Sequence, residues 1–422
     1  MTPGGGAGPD DRFLSLDVVR GVAVMGILTM NIVGFAGVQG FYFNPHAHGP
    51  ASSADVVAFL AGFVLFDGKM RGLFSFLFGA SMLLVIQRAK ASGRDPARVH
   101  FARMGWLLVF GLAHLWLIWW GDILHQYAIV GMAAYFLRDH APHKLIAAGL
   151  VLLGLQAVMM AGAPVTVAMA EQGLPDPASA ARIVADLSRG FGVPDGAWLV
   201  RQVAIHRGDY AGILADRWAA HATTPLTGLY FGAETLAYML FGMVALRSGF
   251  LTGAWDRARY RRWMAVGFGI GVPLYLLMAL YLTLQGFGLY ATLLVQQLLG
   301  IAVRPLMIVG WAGAILLAMR PGGGWTARIA AVGRMAFTNY LAMSLIGTTI
   351  FYGYGLGWFA SLSRIELWPI VLAIWAAMLC WSKPWLDRFA YGPLEWLWRS
   401  LASGQPQRLL RSGRDKNANR TQ

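Results

Sequence analysis

His114 and Asp122 stand eight residues apart on either side of the Trp119-Trp120-Gly121 corner, with Leu112, Leu115, Trp116 and Leu117 around the histidine. A carboxylate beside an imidazole in apolar surroundings fixes its tautomer, and the free ring nitrogen can then act as general base toward an amine or hydroxyl. The same pair can equally be read as a histidine satisfied by a neighbouring helix and an aspartate that only caps the next one. His125 falls one turn further on and is a further candidate, as a contact for substrate. A second pair, Glu234 and Arg304, sits well inside two other long apolar stretches. Lone charges in hydrocarbon are costly, so these two are expected to pair or to line one polar cavity, as a structural ion pair or a substrate contact. Pro273 and Pro305 free backbone carbonyls in two helices and could open a pathway there. Asn31 is read as a hydrogen-bonding bridge between helices or as a substrate contact.

The elements that must position these groups are apolar almost throughout. Of the 422 residues 57% are hydrophobic and only 13% charged, against about 25% charged in soluble domains. This is the composition of a polytopic membrane protein, and the fold expected is an all-α transmembrane bundle. Stretches long enough to cross a hydrocarbon core, roughly 20 residues each, lie near 19–37, 71–88, 103–120, 123–138, 145–169, 225–246, 263–284, 294–319, 335–356 and 367–386. Lys and Arg crowd every second gap, as in Arg88 to Arg103, Arg138 and Lys144, Arg247 to Arg262, and Arg320 to Arg334. The opposite gaps at 121–122 and 285–290 have none, and 357–366 has only Arg364. Because basic residues in short loops remain cytoplasmic, ten spans with both termini in the cytoplasm are expected, in a bacterial inner membrane. The segment 40–70, with the apolar run Ala54 to Phe66, reads as an interfacial or re-entrant helix on the outer face. The polar segment 171–224 reads as an extracytoplasmic loop, partly helical, that caps a site or merely spaces two halves. The organisation expected is thus a tail at 1–11, an N-terminal transmembrane half at 12–170, the loop at 171–224, a C-terminal half at 225–400 and a basic cytoplasmic tail at 401–422.

The net charge of +14 is spread over short loops, where it suits anionic lipid headgroups; nucleic acid is not an expected partner. There is no phosphate-binding Gly-x-x-x-x-Gly-Lys-Ser/Thr loop, His-Glu-x-x-His pair, structural cysteine pair or Gly-x-Ser-x-Gly elbow, so chain-autonomous ATP-driven transport and zinc proteolysis are not expected. No metal is expected either.

Several motifs occur in one order along the chain. Leu16, Asp17, Val19, Arg20, Gly21 and Ala23, with Gly26-Ile27-Leu28 and Asn31, come first; Gly121-Asp122-Ile123-Leu124 with Tyr127 and Gly131 follows; then Gly333-Arg334-Met335-Ala336 with Thr338-Asn339-Tyr340-Leu341 and Ser344; and last Gly392-Pro393 with Glu395-Trp396-Leu397-Trp398-Arg399. Together they resemble the signatures of the YeiB family of bacterial membrane proteins, from about residue 12 to 400. That family carries a C-terminal domain of unknown function, and its N-terminal half is distantly similar to membrane acyltransferases of the heparan-α-glucosaminide N-acetyltransferase type. The resemblance implies transfer of an acyl group from cytoplasmic acyl-CoA or acetyl-CoA to a small-molecule or glycan acceptor across the membrane. It also implies a histidine in the first outer loop, the region of His46 and His48, although the spacing around them departs from the acyltransferase motif. Arg20 could grip a phosphate of the entering acyl-CoA beside Asp17; the alternative is that Asp17 caps the first helix and pairs with Arg20 three residues on. A transporter built on Glu234 and Arg304 and a non-catalytic membrane scaffold are the other functional readings, and a homodimer is the assembly to look for.

Overall fold

The computed structural model describes residues 13–220 and 228–410. The tail at 1–11, the end of the basic tail at 411–422 and residues 221–224 of the loop lie outside the described residues. Among the described residues the chain is helical, and its one bridge between extended segments is the isolated pair Phe389 and Leu410.

Helix starts follow local chemistry. Asp95, Asp176, Asp195 and Asp256 each accept a backbone N–H of the turn they precede, and Pro96, Pro142 and Pro177 occupy first-turn positions that need no donor. The helices are α1 (Leu14–Ala36), α2 (Gln39–Phe43), α3 (Ser53–Leu65), α4 (Lys69–Ala91), α5 (Pro96–Ile118, its last turn a π turn from His114), α6 (Leu124–Leu137) and α7 (Pro142–Glu171). Then come α8 (Pro177–Phe191), α9 (Gly196–His206), α10 (Tyr210–Ala220), α11 (Gly232–Arg247), α12 (Arg257–Leu284) and α13 (Leu289–Ala318, with a π stretch at Leu293–Leu299). The last four are α14 (Gly324–Arg334), α15 (Ala336–Phe351), α16 (Leu367–Arg388) and α17 (Pro393–Ser403).

Seven of these segments are long and apolar enough to cross a membrane, and the pair α14 and α15, bent by 79°, makes up to eight. Helices α6, α11 and α15, at 14, 16 and 16 residues, fall short of the usual length. In the most apolar stretch of α1, 78% of residues are buried, whereas the corresponding share is 28% for α7 and α16 and 33% for α12. So α1 forms the axis of the bundle. The outer helices turn large apolar side chains outward instead, such as Leu150, Val151 and Val158 on α7 and Leu277, Leu280 and Leu284 on α12, a surface suited to lipid rather than water.

One expectation is corrected. The apolar run after residue 53 is not a separate element: α3 and α4 join into one candidate span, Ser53–Ala91, interrupted at Phe66–Gly68. A capping box of Ser52 and Asp55 starts it, and Gly68, at φ +68°, makes the break. Helices α4 and α11 cross in direct backbone contact, since a Cβ on Gly79 would strike the Met239 carbonyl and one on Gly242 the Phe76 carbonyl. Small residues permit this approach, which is how helices associate in lipid.

The bundle has two distinct ends. At the N-terminal end the Ser15 hydroxyl donates to the Leu251 carbonyl at 2.7 Å, and Arg247 donates to the carbonyls of Arg138 and His140. At the far end the Ala360 amide donates to the Ala36 carbonyl at 2.7 Å, and Asn44 to the Phe287 carbonyl at 2.8 Å.

Candidate functional site

The corner between α5 and α6 brings three predicted residues together. Asp122 lies in the break, and its two oxygens divide between two imidazoles: His114 Nδ1 lies 2.8 Å from Oδ1, and His125 Nδ1 lies 2.9 Å from Oδ2. The His125 amide also donates to Oδ2 at 3.0 Å, so Asp122 both caps the start of α6 and fixes both rings. All three side chains are buried. With Nδ1 of each ring on the carboxylate, each Nε2 is left as the acceptor nitrogen. Neither Nε2 has a partner among the described residues. The His114 ring is walled by Tyr340 at 5.4 Å and Trp119 at 6.4 Å between centroids, and the Trp119 indole N–H donates to the Gly34 carbonyl of α1.

His114 opens the π turn of α5, where the Trp119 amide donates back to the His114 carbonyl. Such turns leave carbonyls without intrahelical donors, and the far-end segment supplies them. Tyr210 donates to the Leu117 carbonyl at 2.8 Å, Arg217 to that of Trp116 at 3.3 Å, and Trp218 packs on Trp116 at 5.1 Å. Helix α9 is tied down by Arg207, which donates to the Phe359 carbonyl and the Ser361 hydroxyl, both at 2.8 Å. Helix α10 therefore packs on the π turn that carries His114, with α9 anchored beside it on the segment 352–361.

The family described as Protein of unknown function (DUF418) matches residues 245–405. The chain is 32% identical to Uncharacterized protein YeiB of Escherichia coli (strain K12) over 409 residues, covering 93% of this chain and 96% of that protein. The chain belongs to the YeiB family. It is also 26% identical to Uncharacterized protein YxaH of Bacillus subtilis (strain 168), across 94% of this chain and 96% of that one. No solved structure matches it.

In this YeiB-family chain the C-terminal motifs meet one another at the N-terminal end. Glu395 reaches the start of α15, accepting from the amides of Phe337 at 2.8 Å and Thr338 at 3.1 Å and from the Thr338 hydroxyl at 2.5 Å. It supplies the cap that the chain before α15 lacks. Asn339 bridges helices, donating to the Val332 carbonyl and the Ser382 hydroxyl and accepting from the Trp381 indole. Residues 404–410 return along this surface, where the Ala390 amide donates to the Leu409 carbonyl and the Trp396 indole to that of Gln407.

Glu234 and Arg304 do pair, in a larger network than the sequence suggested. Arg304 bonds Glu234 Oε1, Tyr238 donates to the same oxygen at 2.7 Å, Arg71 holds Oε2 at 2.8 Å, and the Glu234 amide donates to Gln156 at 3.2 Å. Nearby Asp67 accepts from Tyr42 at 3.0 Å, and the fully buried Lys69 places its ammonium 3.3 Å from the centre of the Tyr275 ring and donates to the Phe63 carbonyl. Glu234 and Arg304 are thus joined by charges from a third segment, the break between α3 and α4. Asp67, Lys69 and Arg71 cluster at the helix break, which the sequence reading takes as the edge between an interfacial or re-entrant helix and the span 71–88.

The remaining candidates are engaged elsewhere. His46 Nδ1 accepts from the Ala51 amide at 3.1 Å, and His48 Nε2 from that of Val38 at 3.4 Å while its ring stacks on Phe41 at 4.1 Å. Burial, with the Arg364 charge second, lowers the His48 pKa to about 4. Arg20 donates to Asp17 at 2.9 Å, Ser81 at 2.8 Å and the Gly333 carbonyl at 3.5 Å, tying α1 to α4 and α14. Asn31 is half-buried on α1. A cleft of about 630 Å³ between the end of α7 and α8 is lined mainly by small apolar side chains such as Ala181 and Val184, away from both clusters. No group of three His, Cys, Asp or Glu among the described residues is arranged to hold a metal ion.

Proposed function

We propose that this chain is a membrane acyltransferase whose chemistry runs at His114, His125 and Asp122. The observation that supports it is one buried carboxylate orienting two imidazoles and leaving both Nε2 atoms as unpartnered bases. His114 Nε2 removes the proton from an acceptor amine or hydroxyl as that atom attacks the thioester carbonyl of an acyl-CoA. The resulting imidazolium is stabilised by Asp122 and returns the proton to the departing thiolate, giving an acylated acceptor and free CoA. Burial of the three side chains, with α10 packed on the π turn, keeps water from competing for the acyl group.

The setting that goes with this reading is a bacterial inner membrane crossed ten times, α6, α11 and α15 completing the seven longer segments, with both termini in the cytoplasm. Basic residues crowding the N-terminal end of the bundle favour that orientation. Acyl-CoA then approaches from the end that carries Arg20, and the acceptor from the far end.

The test is release of CoA from acetyl-CoA and a long-chain acyl-CoA by protein in lipid nanodiscs, with amine and hydroxyl acceptors supplied. Turnover lost in both His114→Ala and Asp122→Asn supports the reading; folded protein with no turnover on any thioester and acceptor refutes it. A second reading, transport, is favoured by the charged network around Glu234 in the interior of the bundle. It requires that Glu234→Gln abolish substrate flux in vesicles while thioester binding persists.

A further inference from the structure

Helix α15 lies against the end of α5 in a defined register. Phe337 meets Phe110 edge to face at 5.4 Å between ring centroids, and one turn further along both helices Tyr340 meets His114, again at 5.4 Å. Tyr340 belongs to the stretch Thr338-Asn339-Tyr340, whose other two members are committed. Thr338 bonds Glu395, while Asn339 holds Val332, Ser382 and Trp381. Tyr340 is only 3% exposed, and its hydroxyl has no hydrogen-bond partner among the described residues. A buried phenol ordinarily has one.

The groups around that hydroxyl cannot take its proton. The Ile123 amide is itself a donor, Asp122 has both oxygens occupied by the two histidines, and the Tyr127 hydroxyl is engaged with Ser75 and the Arg71 carbonyl. His114 Nε2 is an acceptor, yet it too is unpartnered, so the two atoms do not bond each other. One buried corner thus presents a spare lone pair on the imidazole and a spare proton on the phenol. Acyl transfer needs that combination: a base for the acceptor's proton, and a donor for the carbonyl oxygen as it becomes an oxyanion.

We infer that Tyr340 is a catalytic residue of this chain, its hydroxyl donating to the thioester carbonyl oxygen of the acyl donor; the inference rests on acyl transfer at His114. As the acceptor's lone pair forms the new bond to the carbonyl carbon, the π pair moves onto oxygen. Tyr340 stabilises that oxyanion by a hydrogen bond and keeps its own proton. Collapse restores the C=O bond and breaks the C–S bond, and the thiolate leaves with the proton that His114 took from the acceptor.

The experiment is CoA release from acetyl-CoA by the full-length chain in lipid nanodiscs, with amine and hydroxyl acceptors supplied. It compares wild type with Tyr340→Phe, which keeps the ring on His114 and removes only the donor. The expected result is a kcat lower by about 10²–10³-fold, with the KM for acetyl-CoA within about threefold of wild type. The melting temperature should not fall, because a hydroxyl without a partner has no bond to lose. Replacement of Tyr340 by 3-fluorotyrosine, which restores the donor, should keep turnover within about tenfold of wild type. Four outcomes overturn the inference and leave acyl transfer at His114 standing: Tyr340→Phe turnover within about tenfold of wild type, a raised KM at unchanged kcat, a clear drop in melting temperature, or a 3-fluorotyrosine protein as slow as Tyr340→Phe. Folded wild type with no turnover on any acceptor overturns both.

Discussion

The two buried polar clusters of this bundle contain similar groups and differ in what is left over. Around Glu234 the carboxylate is saturated: Arg304 and Tyr238 take one oxygen, Arg71 the other, and Gln156 accepts from its backbone amide. Around Asp122 the carboxylate is equally saturated, by His114 and His125, yet each partner carries a second nitrogen with no hydrogen-bond partner among the described residues. An arginine that meets a carboxylate is charged at every accessible pH and has no proton to trade; an imidazole in the same place presents a base on its far side. The first arrangement holds helices α4, α11 and α13 together, and the second can do chemistry. Both clusters lie beside a π stretch, His114–Ile118 and Leu293–Leu299, the local irregularity that polar sites in helices often use.

The contrast can be broken most forcefully at Glu234. Glu234→Gln leaves Arg71 and Arg304 facing one another without their counter-charge, and should lower unfolding stability in detergent by about 3–5 kcal/mol, read by thermal or denaturant unfolding; a change below about 1 kcal/mol would mean the network is not structural. At the other cluster the loss should appear in rate. Asp122→Asn keeps the shape but not the charge that fixes both tautomers, and acyl transfer should fall on the order of 10²-fold or more while the melting temperature moves far less than in Glu234→Gln. A variant that loses stability and activity in parallel would erase the distinction between the clusters.

A smaller effect is expected at the N-terminal end, where Glu395→Gln replaces a charged acceptor of two amides and a hydroxyl and should cost about 1–2 kcal/mol by weakening the cap of α15. An effect seen only on acidification concerns His48. Its folded pKa, about 4, lies below the ordinary value of 6.5, so folding favours the neutral ring. Its contribution is complete above pH 6.5 and is lost as pH falls from 6.5 toward 4. Unfolding curves between pH 7 and 4.5 should show this decline, and His48→Gln should flatten it without altering the pH dependence of acyl transfer.

Much of the His114 corner was legible, because a histidine, a tryptophan pair, a glycine and an aspartate within nine residues must form a tight turn between two apolar helices. That His125 shares the carboxylate was only half visible: i, i+3 spacing permits the contact without requiring it. The pairing of Glu234 with Arg304 followed from the penalty on lone charges in an apolar interior. Arg71, Lys69 and Asp67 escaped because hydropathy averages over a window, and a broken span with three charges at its break reads as a loop edge. His46 and His48 attracted attention by residue type alone, and their partners are nearby backbone amides that no pattern of side chains announces.

What the sequence determined by itself was the kind of molecule: long apolar stretches with few charges become helices that bury their backbone polar groups, and Asp, Ser and Pro at their edges mark where they begin. Tertiary structure alone decided that Asp122 serves two rings while Glu234 serves two arginines, that α10 packs on the turn carrying the first site, and that Arg364 is buried against Phe41 and Phe59. Periodicity and composition act over a few turns of one helix. The partner of a buried charge is set by which helices cross, and that depends on contacts between residues hundreds of positions apart.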